Sequence, residues 1–175
     1  MRISNMKLHW IWFHAALVNA PTTLLQTIHQ GMDTNHSDCL GNTALHLAAY
    51  KGHHACVELL ICYGAQVNVN NELDQTPLDL AVEYQQLHCV KPLLQYGSEV
   101  TQRALHIAAS RGLTHILFAL LCMRPTAIEQ ACRCARKHGH VQLANHLMKH
   151  PLNDELFCGV SMTRKAPTPP SIQTK

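Results

Sequence analysis

The chain has 175 residues, of which 47% are hydrophobic and 14% are charged, and its formal net charge at pH 7 is +3. This hydrophobic share is enough to fill the core of one domain, which excludes a fully disordered chain. No run of eighteen apolar residues is present, so the sequence predicts no membrane-spanning helix.

The charges are unevenly distributed. Residues 31–100 hold eight acidic and two basic residues, a balance of −6, while residues 101–150 hold seven basic and one acidic residue, a balance of +6. Such an asymmetry orients a charged partner. The bases do not cluster with aromatic residues and no nucleic-acid-binding motif is present, so no nucleic-acid partner is expected.

The first twenty residues have two interpretations. The stretch LHWIWFHAALVNA after a basic start resembles a secretory signal peptide, with Val18 and Ala20 before a possible cleavage site. However, His9 and His14 interrupt the apolar stretch, and Pro21 would follow the cut directly. We favour a helical interpretation, because this segment also fits the repeat described next.

A repeat with a period of about 33 residues organises the middle of the chain. Thr-Ala-Leu at 43–45 returns as Thr-Pro-Leu at 76–78, and Tyr-Gly at 63–64 returns as Tyr-Gly at 96–97. A fixed period of this length is typical of proteins that stack one small unit many times. A shift back by one period also superposes the alanine pairs at 15–16 and 48–49, which predicts a degenerate first unit.

The sequence of one unit, at residues 44–64, predicts two short helices. Gly52 separates them and suits the left-handed turn that ends a short helix. Isolated helices of about ten residues are marginal in water, so stacking must supply their stability. The two apolar faces at helical spacing are Leu45, Ala48 and Ala49 in the first helix and Val57, Leu60 and Ile61 in the second.

The segments TALHLAA at 43–49, TPLDLAV at 76–82 and RALHIAA at 103–109 resemble the T-P-L-H-x-A signature of ankyrin repeats. The resemblance implies an all-α repeat solenoid of about five stacked helix-turn-helix units with short β-hairpin loops. It also implies a non-catalytic protein-binding module that needs no cofactor.

The period shortens towards the C-terminus. The steps from Leu78 to Leu105 and from Gly112 to Gly139 are equal, and each is about six residues shorter than the full period. The missing residues fall where the hairpin should be, so two hairpins are expected to be shortened. Full hairpins are predicted near 32–42 and 65–75, with short connections after Gly97 and Cys122. The predicted units within a domain at 1–150 are 8–39, 40–72, 73–99, 100–126 and 127–150.

In ankyrin repeats, a partner usually meets the hairpin tips and the exposed side of the first helix, which form a concave face. The simpler alternative is that each residue there is a tolerated surface residue, although tyrosine and arginine are enriched at binding hot spots. When the units are aligned on the repeat motif, the predicted partner-binding residues are Leu40, Tyr50, Lys51, Glu72, Leu73, Glu83, Tyr84, Ser110 and Arg111.

The eight cysteines are interpreted as free thiols, because their spacing is irregular and four of them (Cys56, Cys62, Cys89 and Cys122) accompany helical apolar segments. Buried thiols imply a reducing compartment, the cytoplasm or the nucleus. The best metal candidate is the group Cys132, Cys134, His138 and His140. Two residues apart on a helix, its cysteines point to nearly opposite sides, so no metal site is expected.

The fourteen histidines do not indicate catalysis, because no catalytic motif accompanies them. His46 and His106 occupy the signature histidine, which the resemblance makes a structural hydrogen-bonding residue, and Asp79 replaces it in the middle unit. The loop histidines are expected to be solvated; they are His53, His54, His115 and His140. No enzymatic activity is expected.

Residues 151–175 change character to a proline-rich, basic tail that is predicted to be largely disordered from about Met162. Leu156 and Phe157 are expected either to pack on the last helix or to form a short partner motif.

Two functional classes remain open. The chain is either a monomeric adaptor or competitive binder, or a truncated or accessory piece of a larger repeat-bearing protein whose activity lies elsewhere.

Two departures from the repeat predict modest stability. Asp74 stands where the hairpin glycine should be, and Gln85 stands where the inter-helix glycine should be; each costs about 1 kcal/mol if φ is positive. The hairpin expected near residues 97–103 is also missing. This junction between two units is therefore expected to open before the rest of the domain. Hydrogen exchange should therefore be fastest at these amides, whereas uniform protection across the junction would contradict this expectation.

Overall fold

The computed structural model describes residues 5–149, in which ten α-helices and one 3₁₀-helix follow one another without a strand. The predicted all-α solenoid is confirmed. No helix in this range is long and apolar enough to cross a membrane. The tail at 151–175 and its predicted disorder lie outside the described residues. The helices are α1 (Asn5–Leu17), α2 (Pro21–His29), α3 (Ala44–Lys51), α4 (His54–Cys62), α5 (Pro77–Glu83), α6 (Leu87–Gln95), α7 (Gln102–Ser110), α8 (Thr114–Met123), α9 (Ile128–Lys137) and α10 (Val141–Lys149), with the 3₁₀ turn Pro125–Ala127 before α9.

The helices stack in two rows. The first helix of each pair contacts the first helix of the next, which gives the row α1, α3, α5, α7 and α9, while α2, α4, α6 and α8 form the second row. Alanines at one repeated position of the first row are at most 2% exposed; they are Ala15, Ala48, Ala81, Ala108 and Ala135. Because a methyl group is the whole side chain there, neighbouring helices approach closely, and larger residues of the second row fill the remaining core.

The two long loops have hairpin-like turns in place of the expected β-hairpins. Loop 32–42 contains an isolated antiparallel bridge between Ser37 and Thr43. The Oδ1 atom of Asp38 accepts hydrogen bonds from the amides of Leu40 and Asn42, at 2.9 and 2.8 Å. Asn71, at the equivalent position of the next unit, makes the same two contacts in loop 65–75. These side-chain bonds satisfy the amides that a paired strand would otherwise have bonded.

Both residues that replace a repeat glycine adopt the left-handed conformation. The φ angle is 56° at Asp74 and 60° at Gln85, whereas the corresponding glycines, Gly41 and Gly52, have φ of 73° and 80°. The first unit uses Asn19 for the same turn, with φ of 57°. The turn is therefore required by the fold even where the sequence lacks glycine, and a side chain there adds strain.

Replacing Gln85 with glycine should stabilise the protein by about 1 kcal/mol, because glycine adopts this turn without a steric cost. Urea unfolding should show the higher free energy of unfolding. The matched change Gly52→Ala should destabilise the protein, since the new methyl group would be strained at positive φ and would collide with the Gln86 side chain. A less stable Q85G variant would contradict the assigned strain.

Candidate partner-binding face

The ends of α3 and α5 bring two of the predicted binding residues into direct contact. The rings of Tyr50 and Tyr84 meet edge to face, with centroids 4.3 Å apart and an interplanar angle of 86°. This is a favourable geometry for an aromatic pair. Tyr84 stays 47% exposed, and the Lys51 ammonium lies 4.8 Å from the centroid of the Tyr50 ring. The result is an accessible aromatic surface with one cation beside it.

Leu40 and Leu73 lie at equivalent positions in the two long loops and are 57% and 68% exposed. The amide of Glu72 donates to the Leu40 carbonyl over 3.0 Å, so the two loops are joined directly. Glu72 itself is exposed. Two large apolar side chains are thus exposed to water on an ordered backbone. The alignment of the repeats had placed both of them at loop tips.

Glu83 joins polar groups from the third and fourth units. Its Oε2 atom accepts a hydrogen bond from Gln75 Nε2 over 3.1 Å and lies 4.0 Å from Nη2 of Arg103. Its backbone carbonyl accepts from Arg111 Nη1 over 2.6 Å. Arg103 also donates to the Leu73 carbonyl over 3.4 Å. Arg103, which takes the position of the signature threonine, was missed by the sequence analysis, although a base in place of that threonine is a visible signal.

Ser110 is the least available of the predicted residues. Its hydroxyl donates to the Ile107 carbonyl over 3.2 Å, and its own carbonyl pairs with His140 Nε2 over 2.9 Å. Arg111 is exposed, but its guanidinium is tied to Glu83. The predicted residues therefore comprise an aromatic pair with Lys51, two loop tips and a hydrogen-bonded polar group.

His46 holds the second unit to the third. It is fully buried, and its Nδ1 atom accepts from the Thr43 amide over 3.1 Å, which leaves the proton on Nε2. Nε2 donates to the Gln75 carbonyl over 3.0 Å. Burial lowers the pKa of His46 below its ordinary 6.5, against the smaller, raising effect of the backbone hydrogen bonds. The expected structural role is met by the neutral imidazole.

Asp79 performs the equivalent role one unit later. Its Oδ2 atom accepts from the Thr76 amide over 2.9 Å, and its own amide donates to the Thr76 hydroxyl oxygen over 3.1 Å, which together form a capping box. Its Oδ1 atom accepts a short hydrogen bond from the Thr101 hydroxyl. The carboxylate thus reaches the next unit through a side-chain hydroxyl, where His46 reaches a backbone carbonyl.

The expectation that His106 plays the same structural role is met only in part, because His106 contacts the next unit but joins no capping box. His106 is exposed, because α7 begins at Gln102 with Thr101 as its N-cap, whose hydroxyl accepts from the Ala104 amide over 3.0 Å. Because the connection is shortened, the N-cap of α7 lies two residues before the position that holds the capping threonine in the earlier units. His106 therefore lies too far into the helix to join a capping box. Its Nδ1 atom instead lies 3.3 Å from the Cys134 sulfur.

The expected solvation of the loop histidines is wrong for two of them. His53 Nε2 lies 2.9 Å from the Leu17 carbonyl, and His140 Nε2 lies 2.9 Å from the Ser110 carbonyl. Both acceptors are at the end of the preceding unit's first helix, where carbonyls lack helical partners. The repeated Gly-His pair was the available signal. His54 and His115 are exposed, and His54 lies 3.7 Å from Glu58.

Asn35 and Asn68 also join units, and sequence reasoning missed them. The Asn35 side chain accepts from the Gln66 amide over 2.8 Å, and the Asn68 side chain accepts from the Glu99 amide over 2.9 Å. Asn68 also donates to the Gly97 carbonyl over 3.1 Å. The two asparagines are separated by one full period, so the repeat alone would have identified them.

Cysteines in the core are thiols of low acidity. Burial raises the pKa of Cys56 to about 11 and that of Cys89 to about 12. Cys132 is buried whereas Cys134 is partly exposed, so the two do not converge. Across residues 5–149, no group of three or more His, Cys, Asp or Glu side chains is arranged to hold a metal ion.

Residues 12–104, more than half of the chain, match the sequence profile of ankyrin repeats, in three copies. The chain belongs to the ankyrin-repeat family. The solved human ASB11 ankyrin repeat domain has a similar fold, with a TM-score of 0.69 and 25% identity over 78% of this chain and 67% of that one. Ankyrin repeats are generally protein–protein interaction modules, and their fold is typically non-catalytic.

Curated relatives match a smaller part of this ankyrin-repeat chain. Human oxysterol-binding protein-related protein 1 is 38% identical over 76 residues, which cover 42% of this chain and 8% of that protein. The rat and mouse proteins of the same name are 51% identical over 43 residues, or 25% of this chain and 4% of theirs. The chain thus spans less than a tenth of the length of these relatives.

The buried His46 should make stability depend on pH. Because the pKa of His46 is lowered in the folded state, the unfolded chain binds a proton first as the pH falls below about 6.5, and the free energy of unfolding then decreases. Urea unfolding at pH 7.5 and pH 5.5 measures this decrease.

A His46→Asn variant provides the comparison. It should lose about 1–3 kcal/mol at pH 7.5, because a buried hydrogen bond to the Gln75 carbonyl is removed. It should also show a smaller decrease between the two pH values, since the remaining histidines titrate in both proteins. An equal decrease in the two proteins would assign the pH dependence to other groups.

Proposed function

We propose that this chain is a non-catalytic module that grips a protein partner on the concave face formed by its loop tips and first helices, as an adaptor or a competitive binder. The observation that carries the proposal is the contact between Tyr50 and Tyr84, which is ordered yet accessible. An aromatic pair of this kind supplies contact area with little side-chain entropy left to lose.

The loop tips extend this surface. Leu40 and Leu73 each expose more than half of their surface, while Glu72 and Lys51 supply charges at its margin. Interfaces commonly have an apolar, aromatic centre with a polar rim. These residues therefore support a binding surface that spans at least the second and third units.

The polar group around Glu83 has a different role in this proposal. Arg111 and Arg103 already bond to groups of this chain, so they do not enter the interface as free cations. They position the third and fourth units against each other, beside the tyrosines. The basic residues beyond them favour a partner that is acidic where it meets the C-terminal units.

The second candidate function is that of an accessory piece of a larger repeat-bearing protein. The observation that favours it is the small share of the curated relatives that this chain spans. In that case the stack presents the same face, but the activity that the contact controls belongs to another part of the protein.

We propose the cytoplasm or nucleus as the compartment, because the core contains cysteines that are free thiols and not disulfides.

The proposal is tested by affinity capture from cell lysate with the full chain as bait. A Tyr50→Ala/Tyr84→Ala variant should lose at least about tenfold of a specific partner's yield, since hot-spot truncations cost about 2 kcal/mol or more. Tyr63→Ala/Tyr96→Ala, which removes the other two tyrosines from the ends of α4 and α6, is the matched control and should retain the partner.

Circular dichroism must first show that both variants are folded. Retention of every partner by the Tyr50/Tyr84 variant would exclude the aromatic pair as the binding centre. Equal loss in both variants would indicate a general effect of tyrosine removal and would contradict a face-specific contact.

A further inference from the structure

The last unit ends the stack with side chains that differ from those of the units before it. Arg136 holds the repeat position that is Ala49, Val82 and Ala109 in the three preceding units, all of them without exposed surface. Arg136 is exposed, and its Nη2 atom lies 3.1 Å from the Met148 sulfur. A cation therefore stands where earlier units bury a small apolar side chain.

Met148 departs from the pattern in the opposite sense. It holds the position of Ile61, Leu94 and Leu121, which are at most 3% exposed, yet it is itself 57% exposed. This apolar side chain on α10 and the arginine on α9 form one surface, which we call the end face, together with Arg133 one helical turn before Arg136. The end face combines exposed apolar surface with two guanidinium groups.

The positive charge of the end face has no ion-pair partner among residues 5–149, where Arg133 and Arg136 form no salt bridge. The nearest acid in sequence is Glu129, the only one between residues 101 and 150. A covering segment for this surface would combine carboxylates with large apolar side chains.

The chain itself continues with such a segment. Twenty-six residues follow α10, and they contain Asp154 and Glu155, the only acids beyond Glu129. These acids are flanked by apolar residues in the sequence Leu-Asn-Asp-Glu-Leu-Phe at 152–157. Both its charge and its apolar content are therefore complementary to the end face.

The connection is long enough for this segment to fold back. The eight residues from Lys149 to Phe157 span up to about 26–29 Å when extended, whereas the nine residues of α10 rise about 14 Å. Pro151 disfavours helical conformation in the residue before it, so the sequence does not favour an extension of α10 away from the stack.

We propose that residues 152–157 pack on the end face of the same chain and close the stack. The two carboxylates pair with the arginines of α9, while Leu156 and Phe157 cover Met148. This contact would remove the exposed apolar surface of Met148 from water. This contact goes beyond the proposed function, since it does not involve the partner-binding face.

Hydrogen exchange on the full chain, read by mass spectrometry, tests the contact. In the native protein, the amides of 152–157 should exchange at least about tenfold more slowly than in an unstructured peptide of the same sequence. An Asp154→Asn/Glu155→Gln variant should lose most of this protection and accelerate exchange in α10. A Thr168→Lys/Ser171→Lys variant, which raises the net charge by the same two units, should behave like the native protein.

Charge reversal then identifies the contact. Arg136→Glu should remove the protection of 152–157, and adding Glu155→Arg to it should restore at least part of that protection, which a general loss of stability would not do. Unprotected amides at 152–157 in the native protein would overturn the proposal. Protection that rises with protein concentration would also overturn it, since a second copy would then be the occupant.

Discussion

The close approach of successive first helices is the constraint on which the rest of this structure depends. Each helix is seven to thirteen residues long, too short to be stable alone, and each buries its apolar face only against the next unit. The repeated alanines, such as Ala48 and Ala81, make this approach possible because they leave room for the neighbouring backbone. Any larger side chain there would push two units apart and weaken the stack on both sides.

Polar bridges between units accompany the apolar contact and set the units in register. They follow one rule: a side chain of one unit satisfies a backbone group that a helix end or loop of its neighbour leaves unpaired. His53 and His140 bond carbonyls of the preceding unit, and Asn35 and Asn68 bond amides of the following one. Since each bridge forms only when neighbouring units lie at one offset, the bridges favour one arrangement of the stack over alternatives.

The candidate binding surface is a consequence of the same register. Tyr50 and Tyr84 belong to different units of the sequence and meet only because α3 and α5 pack side by side. The bonds from Arg103 and Arg111 to the unit before them hold the adjacent polar group in place. A surface built in this way presents preorganised side chains, so little conformational entropy remains to be lost when a protein partner binds.

The sequence alone determined the class of fold, because a repeated period returns both apolar faces and both turns. It also identified the two left-handed turns at Asp74 and Gln85, since the repeat places a glycine at both positions. These features are local, or recur at a fixed spacing, and such information can be read from a single chain.

Only the tertiary structure decided which polar side chains are used within the stack. His46 and His106 share a motif, yet one is buried and the other exposed, because the shortened connection moves the start of α7 to Gln102. Likewise, Arg111 was predicted as a binding residue and is found bonded to Glu83. The physical reason is that a hydrogen-bond partner from a neighbouring unit depends on the exact offset between helices, and a change of two residues in a connection alters that offset without altering the motif.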